Sequence, residues 1–192
     1  MAIAKLSQFK TSIAKIVRPN LFYAELNGTD SLLIDNNKSI PQIKNTFSFR
    51  CEQAEFPGRT IATIDDVGGG GPALKLPYDV TYNDINLSII CAEDMIERLF
   101  FELWMESIVA TPQSKPSVGA AGLIAYHKNY ARKTTLTISQ LNPKGDVIFF
   151  YKLHDIFPIA LTPMNATWEE NNTYQRFGAT LNYRYYTFGN EK

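Results

Sequence analysis

Residues Met164–Phe188 read MNATWEENNTYQRFGATLNYRYYTF. Within this run Phe177, Ala179, Leu181, Tyr183 and Tyr185 alternate with Arg176, Gly178, Thr180, Asn182 and Arg184. A period of two places the first set on one face of a strand and the second on the other. Aromatic enrichment agrees, because flat rings suit a pleated, half-buried surface. Upstream, Trp168 is followed by Glu169, Glu170, Asn171, Asn172 and Thr173, a polar tip before the strand begins. No acid, base or metal ligand is spaced for chemistry, so the run reads as a building piece.

The same period recurs on the way back to the amino terminus. Thr134–Leu141 and Val147–Leu153 flank Asn142-Pro143-Lys144-Gly145-Asp146, the clearest hairpin signal in the chain. Ile156–Leu161 is short and contains Pro158, which suits an edge or bulge position. Ile85, Leu87, Ile89 and Cys91 are in phase over Asp84–Ala92, and Leu74–Tyr82 reads as a further strand. Thr46–Glu55 reads as a strand with Phe47 and Cys51 in phase, ended by Pro57-Gly58, and Arg59–Ile64 continues as extended chain. Asn20–Leu26 is a first strand, and Gly28–Asn45 a polar excursion after it.

Helical periodicity is found twice. Ala2–Val17 places Ile3, Leu6, Phe9, Ile13, Ile16 and Val17 on one face, and Pro19 stops it. The second helix starts at Asp94, with Glu97 three residues on, the spacing of a capping box. Its core stripe is read as Ile96, Leu99, Phe100, Leu103 and Trp104. Phe101 and Met105 then project from the opposite side, as exposed apolar residues to be covered either by the chain's own loops or by another subunit. Asp65, Asp66 and the glycines Gly68, Gly69, Gly70 and Gly71 form a loop ended by Pro72.

The chemistry looked for is absent. His127 and His154 are the only histidines, and no zinc, redox or nucleophile-elbow motif occurs. A phosphate loop needs Gly-Lys-Ser/Thr after the glycines, where Pro72-Ala73-Leu74 stands. Two adjacent carboxylates fall far short of a calcium shell. No catalytic residue, cofactor or metal is expected, and the chain reads as a non-enzyme.

Nineteen basic and nineteen acidic residues cancel over 192 residues, which argues against tight nucleic-acid binding and removes long-range repulsion between copies. The Tyr126–Lys133 segment, with His127, Lys128, Tyr130 and Arg132, matches either a single-strand grip or a solvent-facing strand edge. Cys51 and Cys91 read as free thiols. No uninterrupted apolar run suits a signal peptide or a membrane span, so synthesis in the cytoplasm and no membrane contact are expected. A chain of this length buries ~70% of its unfolded surface as one domain. The expected architecture is mainly β, an antiparallel barrel or closed sandwich at 18–188, with a central helix and an N-terminal helix or arm at 1–17. Unguarded strand edges invite pairing between copies.

The Trp followed by acids and paired Asn, then the alternating strand and its aromatic end, resembles the C-terminal part of T4-like tail tube proteins of contractile-tailed phages. Arg18-Pro19-Asn20-Leu21-Phe22 and the run Phe47–Gly58 resemble the family's first strand and its strand into a Pro-Gly turn. The longer Gly28–Asn45 excursion and the four glycines depart from it. The resemblance implies homohexameric rings stacked as the inner tube of a virion tail, with sheath, baseplate and tape-measure protein as partners. Genomic DNA would pass the lumen without tight binding, and the Asp65–Gly71 loop would be a contact between rings. A tube protein of a related injection or secretion system, or a baseplate tube initiator, would share these features. A monomeric small-ligand β-barrel is the unrelated alternative.

Overall fold

A computed structural model of the chain describes residues 16–29, 47–66, 71, 73–109, 124–131, 133–168 and 173–190. In chain order the elements are β1 (Phe22–Asn27), β2 (Cys51–Ala54), β3 (Arg59–Asp66), β4 (Leu74–Tyr82), β5 (Ile85–Ile90), α1 (Ile96–Ile108), α2 (His127–Tyr130), β6 (Thr135–Leu141), β7 (Val147–His154), β8 (Phe157–Leu161), β9 (Arg176–Asn182) and β10 (Tyr185–Gly189). Two four-stranded antiparallel sheets, β1-β6-β7-β10 and β2-β5-β9-β8, carry the body, and β3 pairs with β4 alone. The fold is mainly β with a central helix, as expected. Among the described strands no hydrogen-bonded pair joins one sheet to the other, so the expected closure into a barrel is not part of the pairing.

Alternation decides which face each strand buries. Ile85, Leu87 and Ile89 of β5 meet Phe177, Ala179 and Leu181 of β9, while Leu136 and Ile138 of β6 join Leu153 of β7 and Ala24 and Leu26 of β1 in the same core. The β6–β7 hairpin turns where the sequence signals it. The Asn142 side-chain oxygen accepts the amides of Lys144 (2.8 Å) and Asp146 (2.9 Å), and Gly145 takes a left-handed φ of 92°. Strand β8 is an edge strand with a register shift between Pro158 and Ala160, because proline has no amide to offer the ladder. After β1 the chain turns at Gly28 (φ 79°), where a Cβ would come within 1.9 Å of the Lys133 carbonyl oxygen, so only glycine fits.

Three sequence expectations are corrected. The terminal run is two strands, not one. It leaves the second sheet at Asn182, turns at buried Tyr183 and exposed Arg184, and enters the first sheet as β10. The turn resets the phase, so Tyr186 packs inward against Tyr82 and Tyr183 while Tyr185 faces out and stacks on His154. Thr46–Glu55 is also broken. Residues 47–50 form a helical turn, and the strand starts only at Cys51. The Tyr126–Lys133 segment is no strand edge, since His127–Tyr130 form a short helix. The N-terminal helix falls on residues outside the described ones, except Ile16 and Val17, which are not helical.

Candidate subunit interface

Helix α1 does not expose the residues expected of it. Phe101 is 1% exposed and lies among Phe47, Phe100, Trp104 and Phe177, whereas Leu99, assigned to the core stripe, is 38% exposed. The buried arc runs through Glu97, Phe100, Phe101 and Trp104. Phe101 is therefore a core residue and leaves the list of surface candidates. Met105 is only half-buried, beside the helix end, where its carbonyl accepts the Val109 amide.

The reason for the rotation is the start of the helix. Met95 holds the N-cap position in a left-handed conformation (φ 54°), and helical residues begin at Ile96. Asp94 accepts the Ile96 amide at 3.4 Å, but Glu97 does not complete a capping box. Its carboxylate turns inward, accepts the Ala92 amide at 3.1 Å and pairs with the Arg50 guanidinium. A charged side chain at the core side of the first turn is compatible with folding only because both oxygens are engaged. Arg50 lies on the helical turn 47–50, so this pair ties that turn to α1.

The described surface offers a different apolar feature. Strands β3 and β4 form a ribbon with no other strand beside it among the described residues, and Ile61, Ile64, Leu74, Leu76, Tyr78 and Val80 on it are 41% to 70% exposed. Its root is anchored, because Tyr82 packs on Tyr183 and Tyr186 of the body. Asp65 and Asp66 end β3 at the far end of the ribbon, opposite Lys75 and Leu74. Both are exposed, and Gly71 beyond them has open space around it. Gly68, Gly69 and Gly70 lie outside the described residues. Sequence reading placed Asp65 and Asp66 in a loop, whereas both belong to β3, and it drew the extended runs Arg59–Ile64 and Leu74–Tyr82 without their pairing. The available signal was the even spacing of Leu74, Leu76, Tyr78, Val80 and Tyr82, which reads as a one-faced strand and hides its pairing with Arg59–Asp66.

Among the described residues no group of His, Cys, Asp and Glu could hold a metal ion. Burial pushes the Cys51 thiol up to about 12, which keeps it protonated and inert, and it is unpaired with Cys91. Burial likewise pushes Tyr183 up to about 12, while its hydroxyl donates to the Gly58 carbonyl. Burial and the Lys152 charge lower His154, which therefore favours its neutral form. On the outer face of the second sheet, the Tyr174 hydroxyl and Arg176 hold the Glu52 carboxyl below its usual range. Nearby, Thr180 donates to Asn86, which donates to Glu55. That face is a web of satisfied polar groups, not a cleft.

Comparison with known proteins agrees with this picture. Similar structures include a chain of the six-fold symmetrised baseplate of the anti-feeding prophage, 13% identical, with a TM-score of 0.61 over 92% of this chain and 97% of that one. A chain of the extended sheath–tube complex of an extracellular contractile injection system is 14% identical, with a TM-score of 0.60 over 99% of this chain and 100% of that one. A chain of the tube-terminating cap of the anti-feeding prophage is 17% identical, with a TM-score of 0.55 over 92% of each chain. At such identities the likeness is one of fold. No curated protein matches the sequence. The family model described as phage tail tube protein matches residues 7–189, and the chain belongs to that family of structural, non-enzymatic tail proteins.

Proposed function

We propose that this member of the family builds the inner tube of a contractile-tailed phage by stacking homohexameric rings. In this reading a sheath surrounds the tube, a baseplate starts it and a tape-measure protein fills it before DNA passes. The observation that carries the reading is the exposed apolar β3–β4 ribbon on a tail-tube fold. An exposed aliphatic surface of this kind calls for a protein partner. Zero formal net charge lets copies approach without long-range repulsion. Heterologous contacts that close give a ring, and rings that stack give a tube.

Light scattering and negative-stain microscopy of concentrated protein test this directly. Six-fold rings or tubes are expected, and a monomer that persists for days at high concentration would overturn the proposal. The second reading is a tube of a related contractile injection system, favoured by the likeness to the sheath–tube chain above. It predicts the same particles from the isolated protein. Particles recovered from the producing cells separate the two, since a DNA-filled head on the tail belongs only to the phage reading.

A further inference from the structure

Among the described residues, the inner face of the first sheet is sealed at one end only. Leu136, Leu153 and Leu26 lie closed in the core. Phe149 and Tyr151 share the face of Leu153, because side chains alternate along β7. Both are half-buried, as is Tyr186, and Phe188 is 57% exposed. These rings touch one another, with Phe149 stacked on Phe188 at 6.1 Å between centres. Phe56, 43% exposed, flanks them 5.5 Å from Tyr151. A single exposed aromatic is ordinary, but a contiguous group marks a surface that something covers.

The occupant is indicated by the place where the chain enters the sheet. Gln140 is the cross-strand partner of Phe149 and shares its face. Its buried amide donates to the carbonyls of Arg18 (2.9 Å) and Leu21 (2.6 Å), while the Leu21 amide donates to the Arg18 carbonyl at 3.3 Å. That closes a turn, so the chain reverses about one strand spacing, ~5 Å, from Phe149. The residues before Arg18 are thereby led back over the body rather than away from it. Ile16 and Val17, where the described chain begins, are 64% and 49% exposed. Ahead of them, Ile3, Leu6, Phe9 and Ile13 form the apolar stripe read from the sequence. Fifteen residues span ~22 Å even as a helix, enough to cross rings whose centres are 5.0 to 6.5 Å apart.

We propose that residues 1–15 fold back on the chain they belong to and lay that stripe over the rings of Phe56, Phe149, Tyr151 and Phe188. A segment tethered this close meets its target at an effective concentration of about a millimolar, so in dilute solution it outcompetes the same segment of another copy. The stripe and the rings each lack a cover that the other supplies. Because both belong to one chain, the inference stands apart from the tube reading.

A double-mutant cycle on the full chain in dilute solution tests it, with Leu6→Ala, Phe188→Ala and both together. Thermal unfolding and hydrogen exchange of the amides at 3–13 are the readings. Leu6→Ala should lower the melting temperature by about 2–4 °C alone, and by less than half as much beside Phe188→Ala, whose rings it can no longer cover. The 3–13 amides should be protected in the wild type, about tenfold less so in Phe188→Ala, and unaffected by tenfold dilution. Additive melting shifts would place the segment somewhere other than the rings. Protection that fades on dilution would give the rings to the segment of a second copy. Protection that arises only with anionic phosphatidylglycerol vesicles would give the segment to a membrane surface, and no protection at all would leave the rings bare. Each of these four results overturns the inference.

Discussion

Phe101 and Leu99 are two positions apart on one helix and have opposite surroundings. Phe101 touches rings from the turn at 47–50, from α1 itself and from β9, while more than a third of Leu99 meets solvent. Truncating a buried phenylalanine costs ~3–5 kcal/mol through lost transfer energy and the cavity left behind. Phe101→Ala should therefore melt far below wild type in dilute solution, and Leu99→Ala only slightly below it; thermal unfolding followed by circular dichroism reads both. Equal melting of the two variants would mean that the aromatic cluster closes over the gap. Sequence reading reversed these two residues because a stripe drawn at 3.6 periodicity is fixed only by its first member. The left-handed Met95 and the inward Glu97 moved that member.

At the level of elements, the strands with alternating apolar residues were legible from sequence. The β6–β7 hairpin, β5, the bulged edge strand β8 and the first part of the terminal run all stand where their patterns put them. Two kinds of feature were not legible. A corner such as Tyr183–Arg184 is defined by which sheet the chain enters next, and local sequence carries no record of that. Of the candidate interface only the two extended runs, Arg59–Ile64 and Leu74–Tyr82, were legible, because pairing across the β3–β4 ribbon depends on a skipped residue that no alternation pattern announces. Joints between elements follow the same logic. Arg50 and Glu97 are 47 positions apart and fasten the 47–50 turn to α1. Arg50→Ala would leave a buried carboxylate unpaired, at a cost of up to ~3–5 kcal/mol. Glu97→Gln keeps an acceptor for the Ala92 amide and leaves a guanidinium that reaches water, so it should cost less. Chemical denaturation midpoints give the order, and a larger loss for Glu97→Gln would show that the carboxylate charge itself holds the joint.

For the whole molecule, balanced charge predicts feeble attraction to duplex DNA: a dissociation constant weaker than ~1 µM at physiological salt. Fluorescence anisotropy with a labelled duplex measures it, and submicromolar binding under those conditions would mark the lumen reading as mistaken. A conduit that gripped each phosphate would slow what it conducts. The order of the strands has a further consequence, in time rather than space. Strand β1 waits for β6, and β9 stands inside its sheet between β5 and β8, pairing Ile85 with Leu181. Such distant partners make folding slow, on the order of milliseconds to seconds. The β3–β4 ribbon joins near neighbours in sequence and can form early. A nascent chain therefore shows its aliphatic arm before it has a body, and the second sheet stays open at its middle until residues 176–182 are made. Any partner gripping the arm in that interval would capture an unfinished subunit, so the slow closing of the sheets, rather than the arm, should set the pace at which assembly-competent protein accumulates in the cell.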